Sequence, residues 1–360
     1  MMMVMNVLFA QENYLFVGTY TGKKSEGVYV YKFNTSTGAM EKVSSAFTEN
    51  PSYLALSKDK KFLYSVNENG DNKGGVTSFS FDASSGKLTK INSQLSNGDH
   101  PCYISVDNSG KWVVVGNYTG GNLSVYPVKD DGSLGEAAQV IQHSGGSVNK
   151  ERQEKPHVHS VVFTPDGKYL AVVDLGTDKI YMYPFDASAE KPINENAVEN
   201  PTAAGAGPRH IIFHKSLPYA YTVEELSGNV SVYSVGADGT LKNIQTITAH
   251  PAGYKGDIGS AAIKISHDGK SLYASNRGGS NTIATFTIDQ QTGKIKTQKI
   301  VSSGGKAPRD FTIDPSDNFI LSANGGSDNI TIMKRNKQTG VPEVAGKQVT
   351  ISQPVCLVFF

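Results

Sequence analysis

Short apolar segments alternate with turn residues along the chain, and their order repeats about every 50 residues. The unit that starts at His100 predicts strands at 103–106, 112–115 and 123–128, with a weaker fourth strand after the hairpin at Asp131 and Gly132. The strands are rich in β-branched and aromatic residues, and the breaks contain Gly, Asn and Asp. The unit therefore predicts a four-stranded antiparallel sheet.

The same order returns five more times between about residue 50 and residue 345. The segments that carry it are NPSYLALSKDKKFLYSVNEN, HVHSVVFTPDGKYLAVVDLG, GPRHIIFHKSLPYAYTVEELSGNVSVY, SAAIKISHDGKSLYASNRGGSNTIATF and APRDFTIDPSDNFILSANGGSDNITIM. Residues 13–47 begin at a second strand, and the C-terminal QPVCLVFF has the pattern of a first strand with nothing after it. Joining the two ends completes a seventh unit. The prediction is an all-β, seven-bladed β-propeller with four strands per blade, closed by the C-terminal strand in the N-terminal blade.

We expect residues 12–360 to form one propeller domain, after a start at 1–11 that is either disordered or a remnant of a signal peptide. The first ten residues, MMMVMNVLFA, resemble the apolar part of such a peptide, but a basic segment before them is missing. Both a cytoplasmic and a periplasmic location stay open. We expect a monomer or a weak homodimer.

Composition excludes several other classes of protein. Hydrophobic residues make up 38% of the chain, which is enough for a large core, and the net charge of +1 argues against broad attachment to nucleic acid or anionic lipid. No segment approaches the roughly 20 apolar residues of a membrane-spanning helix. The two cysteines have no metal-site spacing, and nucleotide-binding and nucleophile-elbow motifs are missing, so we expect neither metal nor cofactor.

In a propeller the first strand of each blade lines a central channel, and the loops before the first strand and after the second meet at one mouth. The repeat alignment therefore sorts residues into rings. The first-strand ring contains Ser52, Cys102, His159, Arg209, Ala261, Arg309 and Val355. The second-strand ring contains Thr19, Asn67, Asn117, Asp174, Glu224, Asn276 and Asn324. The following ring, one residue later, contains Tyr20, Glu68, Tyr118, Leu175, Glu225, Arg277 and Gly325.

Charged residues and histidines concentrate in blades 4 to 7 of this alignment. They are His157, His159, Arg209, His210, Glu224, Glu225, Arg277 and Arg309. Taken alone, Arg209 could form an inter-blade salt bridge, but several arginines at one mouth favour a site for carboxylate or phosphate. Asn117, Asn276 and Asn324 are either further substrate-binding residues or caps of their own loops. The other histidines, such as His143, are expected in surface or turn positions.

Four segments carry a resemblance to a known family: HVHSVVFTPDGKYLAVVDLGTDKIYMY, GAGPRHIIFHKSLPYAYTVEELSGNVSVY, SNRGGSNTIATF and APRDFTIDPSDNFILSANGGSDNITI. They resemble the lactonase family of seven-bladed propellers. The resemblance implies hydrolysis of a lactone of the 6-phosphogluconolactone type, with His159, Arg209, Glu225 and Arg277 as catalytic residues. It also leaves His157, Glu224 and Arg309 as substrate-binding candidates.

Several alternatives stay open. The family pattern places the acid at Glu225, whereas the repeat alignment directs Glu224 into the second-strand ring. His159 is preferred over His157 because it occupies a position in the first-strand ring. Either Glu225 or His159 is the expected general base, and an arginine would stabilise the oxyanion. A small anionic sugar lactone or carboxylate is the expected partner. The alternatives are a muconate-type lactonizing cycloisomerase and a non-catalytic propeller that binds an anion or a protein.

Overall fold

The computed structural model describes residues 12–22 and 24–360, so the apolar start at 1–11 lies outside the described residues. The strands form seven four-stranded antiparallel sheets, each of which is one blade. Innermost strands of successive blades touch each other all the way around, which closes a ring about a central channel. The described residues contain no helix long and apolar enough to cross a membrane. The predicted seven-bladed propeller is confirmed.

The blades are numbered from the N-terminus, and their strands run from the channel outwards. Blade 1 consists of β28 (Pro354–Phe359), β1 (Glu12–Thr19), β2 (Val28–Asn34) and β3 (Met40–Ala46). Blade 2 consists of β4 (Leu54–Leu56), β5 (Phe62–Asn67), β6 (Gly75–Asp82) and β7 (Lys87–Leu95), and blade 3 of β8 (Pro101–Val106), β9 (Trp112–Asn117), β10 (Asn122–Pro127) and β11 (Gln139–Gln142). Blade 4 consists of β12 (Val158–Phe163), β13 (Tyr169–Asp174), β14 (Lys179–Pro184) and β15 (Val198–Pro201).

The other three blades follow the same order. Blade 5 consists of β16 (Pro208–Phe213), β17 (Tyr219–Glu224), β18 (Asn229–Val235) and β19 (Leu241–Thr248). Blade 6 consists of β20 (Ser260–Ile265), β21 (Ser271–Asn276), β22 (Thr282–Ile288) and β23 (Ile295–Ser302). Blade 7 consists of β24 (Pro308–Ile313), β25 (Phe319–Asn324), β26 (Asn329–Arg335) and β27 (Pro342–Thr350).

The two ends of the chain share blade 1, as predicted. Strand β28 pairs antiparallel with β1, with Leu15 opposite Phe359 and Val17 opposite Leu357. The amide of Phe360 then donates to the carbonyl of Tyr14 at 2.9 Å. The two strands come from opposite ends of the chain, so the ring is closed here by non-covalent contacts alone.

Apolar side chains of neighbouring blades pack face to face and make the core. Phe16 of blade 1 meets Phe81 of blade 2 edge to face, with ring centroids 4.8 Å apart. The hairpin between the third and fourth strands of one blade also packs against the preceding blade: a Cβ on Gly132 would lie 2.1 Å from the Phe62 ring. Gly132 has a φ of +81°, so both the turn and this close approach require glycine. The recurring turn glycines are thus part of the packing between blades.

Candidate active site

A β-bulge repeats at the start of the innermost strands and directs the first-strand ring into the channel. In blade 5, Pro208 pairs with Glu224 and His210 with Val223, which leaves Arg209 as the extra residue. The same shift leaves out His159 in blade 4, Arg309 in blade 7, Cys102 in blade 3 and Val355 in blade 1. A bulge re-aims the side chain of the extra residue. This local irregularity therefore brings the predicted His and Arg residues to one channel.

A backbone hydrogen bond repeats one residue beyond the second strand and fixes the following ring. In blade 5 the amide of Glu225 donates to the carbonyl of Gly207 at 2.7 Å, and in blade 6 that of Arg277 donates to Gly259 at 2.9 Å. The corresponding amide of Tyr118 in blade 3 donates to His100. Each bond ties the loop after β17, β21 or β9 to the loop that enters the innermost strand, so these side chains meet the bulged ones at the mouth.

The carboxylate of Glu225 is the meeting point of three arginines. Its Oε2 accepts hydrogen bonds from Arg209 Nε at 2.9 Å and from Arg277 Nη2 at 2.8 Å. Its Oε1 accepts one from Arg152 Nη2 at 2.6 Å, and the same nitrogen donates to Tyr118 Oη at 3.2 Å. Charge-assisted bonds of this kind are short and strong, and the planar guanidinium suits them. The site is therefore built around one shared anion position.

Charge in this cluster is strongly coupled. Burial by itself would raise the pKa of the Glu225 carboxyl, but Arg277 and Arg209 outweigh burial and hold the pKa far below its ordinary value. Burial, followed by repulsion from Arg277, lowers the pKa of Arg209 to about 10, so its guanidinium stays charged at neutral pH. Arg209 is 1% exposed and also donates from Nη1 to the carbonyl of Ala261 at 2.7 Å. Glu225 is thus an ionised carboxylate and Arg209 a fixed cation.

His159 lies beside this cluster as a neutral imidazole. Burial and the nearby Arg209 charge hold the pKa of His159 well below its ordinary value. Its Nδ1 lies 3.7 Å from Cys102 Sγ, and its ring meets the rings of Tyr118 and His210 edge to face. Burial raises the pKa of the Cys102 thiol to about 12, so the neutral thiol predominates at neutral pH. His159 therefore contributes a neutral, polar wall to the site.

His157 and Arg309 complete the mouth from opposite directions. The His157 ring stacks on Tyr118 at 4.4 Å, and its Nδ1 donates to the Tyr118 carbonyl at 3.1 Å. Across the mouth, Arg309 donates to Glu68 Oε2 at 2.9 Å and to the Tyr20 hydroxyl. Both residues lie where the repeat alignment predicts, but Arg309 is held by a carboxylate of its own.

Glu224 does not face the mouth, which corrects its expected place among the substrate-binding residues. It is the last residue of β17, and its Oε1 and Oε2 accept hydrogen bonds from Ser231 and Ser227, each at 2.5 Å. It is 2% exposed. The side chain of a residue at the end of the strand points into the sheet, whereas the pinned residue after it points to the channel.

The three asparagines also differ from the substrate-binding prediction. Each is fully buried and donates from Nδ2 to the backbone that connects its blade to the preceding one: Asn117 to Ser96 at 2.9 Å, Asn276 to Ala249 at 2.8 Å and Asn324 to Ser303 at 3.3 Å. Buried polar groups of this kind are satisfied inside the protein. These residues hold neighbouring blades together, close to the alternative in which they cap loops.

Two residues were missed or misjudged by the sequence reasoning. Arg152 lies in the connection between β11 and β12, outside the repeat, so the alignment gives it no ring position. His143, expected at the surface, is 6% exposed; its Nδ1 lies 2.7 Å from Asp174 Oδ2 and its Nε2 lies 3.0 Å from Tyr183 Oη. Asp174 also accepts from the His157 amide at 2.8 Å. His143 thus supports the segment that leads to His157.

The family model described as "Lactonase, 7-bladed beta-propeller" matches residues 14–359. The chain belongs to this lactonase family. A 6-phosphogluconolactonase of Bacillus subtilis is 37% identical over 346 residues, which cover 96% of this chain and 97% of the relative. A 6-phosphogluconolactonase of Formosa agariphila is 35% identical over 351 residues, 96% of this chain and 99% of the relative.

A solved structure of a lactonase-family relative has the same ring. The periplasmic gluconolactonase of Pseudomonas aeruginosa superimposes with a TM-score of 0.92 at 38% identity, covering 97% of this chain and 99% of that chain. The resemblance that the sequence segments carry is therefore confirmed, and so is the predicted class, a lactonase that hydrolyses a cyclic carboxylic ester. The names of these proteins differ in one respect, since two are named for a phosphorylated lactone and one for an unphosphorylated lactone.

Proposed function

We propose that this protein hydrolyses an anionic sugar lactone of the 6-phosphogluconolactone type at the mouth of its channel. The observation that carries the proposal is the Glu225 carboxylate, bound by Arg209, Arg277 and Arg152 where the channel opens. The names of the two 6-phosphogluconolactonase relatives support the same substrate class. A carboxylate beside several guanidinium groups supplies both a base and an anion-binding surface.

The charge balance of the mouth favours an anionic substrate. Four guanidinium groups face two carboxylates there: Arg152, Arg209 and Arg277 share Glu225, and Arg309 pairs with Glu68. The surplus is positive although the whole chain has a net charge of only +1. A cleft lined by one sign of charge raises the local concentration of the opposite ion and speeds its encounter. Phosphate or carboxylate groups on a sugar match this surface.

Glu225 is the general base of the proposed reaction. Its carboxylate takes a proton from a water molecule while the water oxygen bonds to the carbonyl carbon of the lactone. The tetrahedral intermediate then breaks the ester bond between that carbon and the ring oxygen, and the proton on Glu225 passes to the departing ring oxygen as a hydroxyl forms. A positioned base and acid contributes about 10²–10⁴-fold to the rate. Because the arginines lower the pKa of Glu225 and thereby its basicity, we expect its contribution near the lower end of that range.

Arg209 and Arg277 stabilise the oxyanion of the intermediate. Arg209 is fully buried and held by the Ala261 carbonyl, and Arg277 donates from Nε to the Gly259 carbonyl at 3.2 Å. Donors that are fixed before the reaction need no reorganisation as negative charge develops. His159, neutral and buried beside Arg209, completes the wall and orients the sugar hydroxyls. It is the second candidate for the base, which the variants below separate from Glu225.

The test is an assay with freshly generated 6-phosphogluconolactone, in which formation of 6-phosphogluconate is followed and the spontaneous hydrolysis is subtracted. We expect a rate that is proportional to enzyme concentration and is lost in Glu225→Gln. A rate no greater than the spontaneous one contradicts the proposal. A parallel incubation with 3-carboxy-cis,cis-muconate tests the lactonizing alternative, which would appear as loss of the diene absorbance.

A further inference from the structure

The longest connection between blades reaches over the mouth. Residues 143–157 join β11 to β12, whereas the next longest connection, 249–259, joins blades 5 and 6. The connection 143–157 is fixed on both sides of its tip: the Gln153 side chain, fully buried, donates from Nε2 to the Leu175 carbonyl at 2.8 Å, and Ser147 Oγ donates to Asp178 Oδ2 at 2.5 Å. The connection therefore has a defined position above the channel.

The backbone of Arg152 is held in a tight turn. Its amide donates to Asn149 Oδ1 at 3.2 Å, and the next amide, that of Gln153, donates to the Asn149 carbonyl at 2.7 Å. The side chain extends from this fixed point and donates hydrogen bonds to Glu225 and Tyr118. The turn thus presents one guanidinium to the site from the solvent side.

Arg152 differs from the other two partners of Glu225 in exposure and in how it is held. Its side chain is 43% exposed, against 24% for Arg277 and 1% for Arg209. Arg277 and Arg209 each donate to a backbone carbonyl as well, Gly259 and Ala261 respectively. Among the described residues, the guanidinium of Arg152 donates only to the Glu225 carboxylate and the Tyr118 hydroxyl. Both of those groups face the site.

We propose that Arg152 recognises the anionic substituent of the substrate and that it exchanges its bond with Glu225 for that anion when the substrate binds. This inference rests on the proposed function and names the group that selects a phosphorylated lactone over an unphosphorylated one. A planar guanidinium binds phosphate bidentately. The exchange also frees Glu225 Oε1 to accept a proton from water, while Arg209 and Arg277 stay at the reacting carbonyl.

A purely structural role for Arg152 explains the contacts less well. The Arg152 side of this ion pair is 43% exposed, although the Glu225 side is only 9% exposed, so solvent screens the pair and it stabilises the fold less than a fully buried pair would. The buried Gln153 and the Ser147–Asp178 contact already fix the connection. Arg152 can therefore exchange its bond to Glu225 for a bond to a substrate anion without loosening residues 143–157.

The test compares Arg152→Ala and Arg152→Lys with the parent enzyme on 6-phosphogluconolactone and on glucono-δ-lactone. For Arg152→Ala we expect KM for the phosphorylated lactone to rise at least about 10-fold, with kcat on either lactone falling no more than about threefold. KM for glucono-δ-lactone should change less than about twofold. Arg152→Lys should recover only part of the loss in KM. The matched control is Lys150→Ala, because Lys150 lies in the same turn and, in the part of the chain that the structure describes, its Nζ donates to the Ser147 carbonyl of its own connection.

Binding measurements separate this inference from the proposed function. Calorimetry with 6-phosphogluconate and with gluconate gives a preference for the phosphate without requiring turnover. We expect the parent enzyme and Lys150→Ala to prefer 6-phosphogluconate, and Arg152→Ala to lose at least about 10-fold of that preference. If lactonase activity is missing but this preference behaves as stated, only the proposed reaction fails. Equal effects of Arg152→Ala on both ligands, or a parent enzyme that binds both alike, overturn the role of Arg152.

Discussion

Glu224 and Glu225 are consecutive in the chain, but their carboxylates serve different parts of the molecule. Glu224 accepts hydrogen bonds from Ser227 and Ser231 within blade 5, and Glu225 accepts hydrogen bonds from three arginines at the mouth. The reason is the end of β17: the last strand residue points into the sheet, and the next one is pinned towards the channel by its bond to Gly207. The pair provides a direct test of which acid acts.

Glu225→Gln should lower kcat on the lactone by at least about 10²-fold, the usual size of a general-base contribution. The amide keeps the shape of the side chain but is not a base for water, so the loss should appear in kcat. Initial rates over a range of lactone concentrations measure it. Full activity would transfer the role of the base to His159.

Glu224→Gln is the matched variant, and it should lower the melting temperature more than it lowers kcat. Removing the charge weakens two short bonds inside a buried part of blade 5, a change that costs stability. Thermal melting and initial rates on the same preparation separate the two effects. A Glu224→Gln enzyme that is folded but inactive, beside an active Glu225→Gln enzyme, would reverse the assignment.

Arg209→Lys should not restore function, with kcat/KM falling about 10²–10³-fold, the usual effect of losing an oxyanion donor. An ammonium group does not reproduce the fork that contacts both Glu225 and the Ala261 carbonyl. Arg335→Lys is the control. Arg335 is also buried, but it lies away from the mouth, where its Nε donates to Tyr273 Oη at 2.7 Å. This variant should lower the melting temperature and leave kcat/KM within about threefold; equal activity losses in both variants would point to general destabilisation.

Stability should fall as the pH is lowered from 7 towards 5 because of His159 and His210. Burial and the Arg209 charge hold the pKa of both imidazoles well below the ordinary value of 6.5 in the folded state. Below pH 6.5 the unfolded chain therefore binds protons that the folded chain does not, and the folded state loses stability. Glu225 is an acid and not a base, but its lowered pKa changes stability in the same direction. Its contribution to stability is present above its unfolded pKa, about 4.3, and is lost as the pH falls further.

Melting temperatures measured between pH 7.5 and pH 5 in one buffer system check this expectation. His210→Gln should make the dependence on pH shallower, whatever its effect on the absolute melting temperature, because one of the two shifted groups is removed. An equally steep dependence in the variant would mean that other groups set it.

Deletion of residues 354–360 should abolish soluble, folded protein and not merely reduce activity. The deletion removes β28, the innermost strand of blade 1, and with it the pairing of Leu15 with Phe359 and of Val17 with Leu357. The inner edge of β1 would then expose unpaired backbone groups, which favour aggregation. Solubility after expression and the melting curve are the measurements. A soluble deletion protein with unchanged melting is incompatible with closure through blade 1.

The sequence was sufficient to predict the ring because each blade repeats the same pattern of strands and turns. It was also sufficient to place Arg209 and Arg309 in the first-strand ring, because each directly follows the proline that begins its strand. The bulge that turns these side chains is not visible in the sequence. The choice between Glu224 and Glu225 was not available from the pattern. That choice depends on one backbone bond beyond the end of a strand, which leaves no mark on residue type.

Arg152 could not be predicted for a different reason. It lies in a connection that is longer than those between the other blades, so no repeat position relates it to the mouth. The asparagines show the converse error: Asn117 and Asn276 have the expected ring positions, but their amides bond the backbone between blades. The position of a residue in the repeat predicts where its backbone lies in the ring. The direction of its side chain depends on the length of that side chain and on the hydrogen-bonding groups around it.

The ion pairs at the mouth divide its circumference into two arcs. Glu225 draws together the connection after blade 3, blade 5 and blade 6, and Glu68 of blade 2 draws together Tyr20 of blade 1 and Arg309 of blade 7. At the mouth, these bonds join blades 5 and 6 to the connection between blades 3 and 4, and they join blades 1, 2 and 7 to one another. We therefore expect a fragment that lacks one of these blades to lose part of the cluster, so that activity would report whether the whole ring is closed.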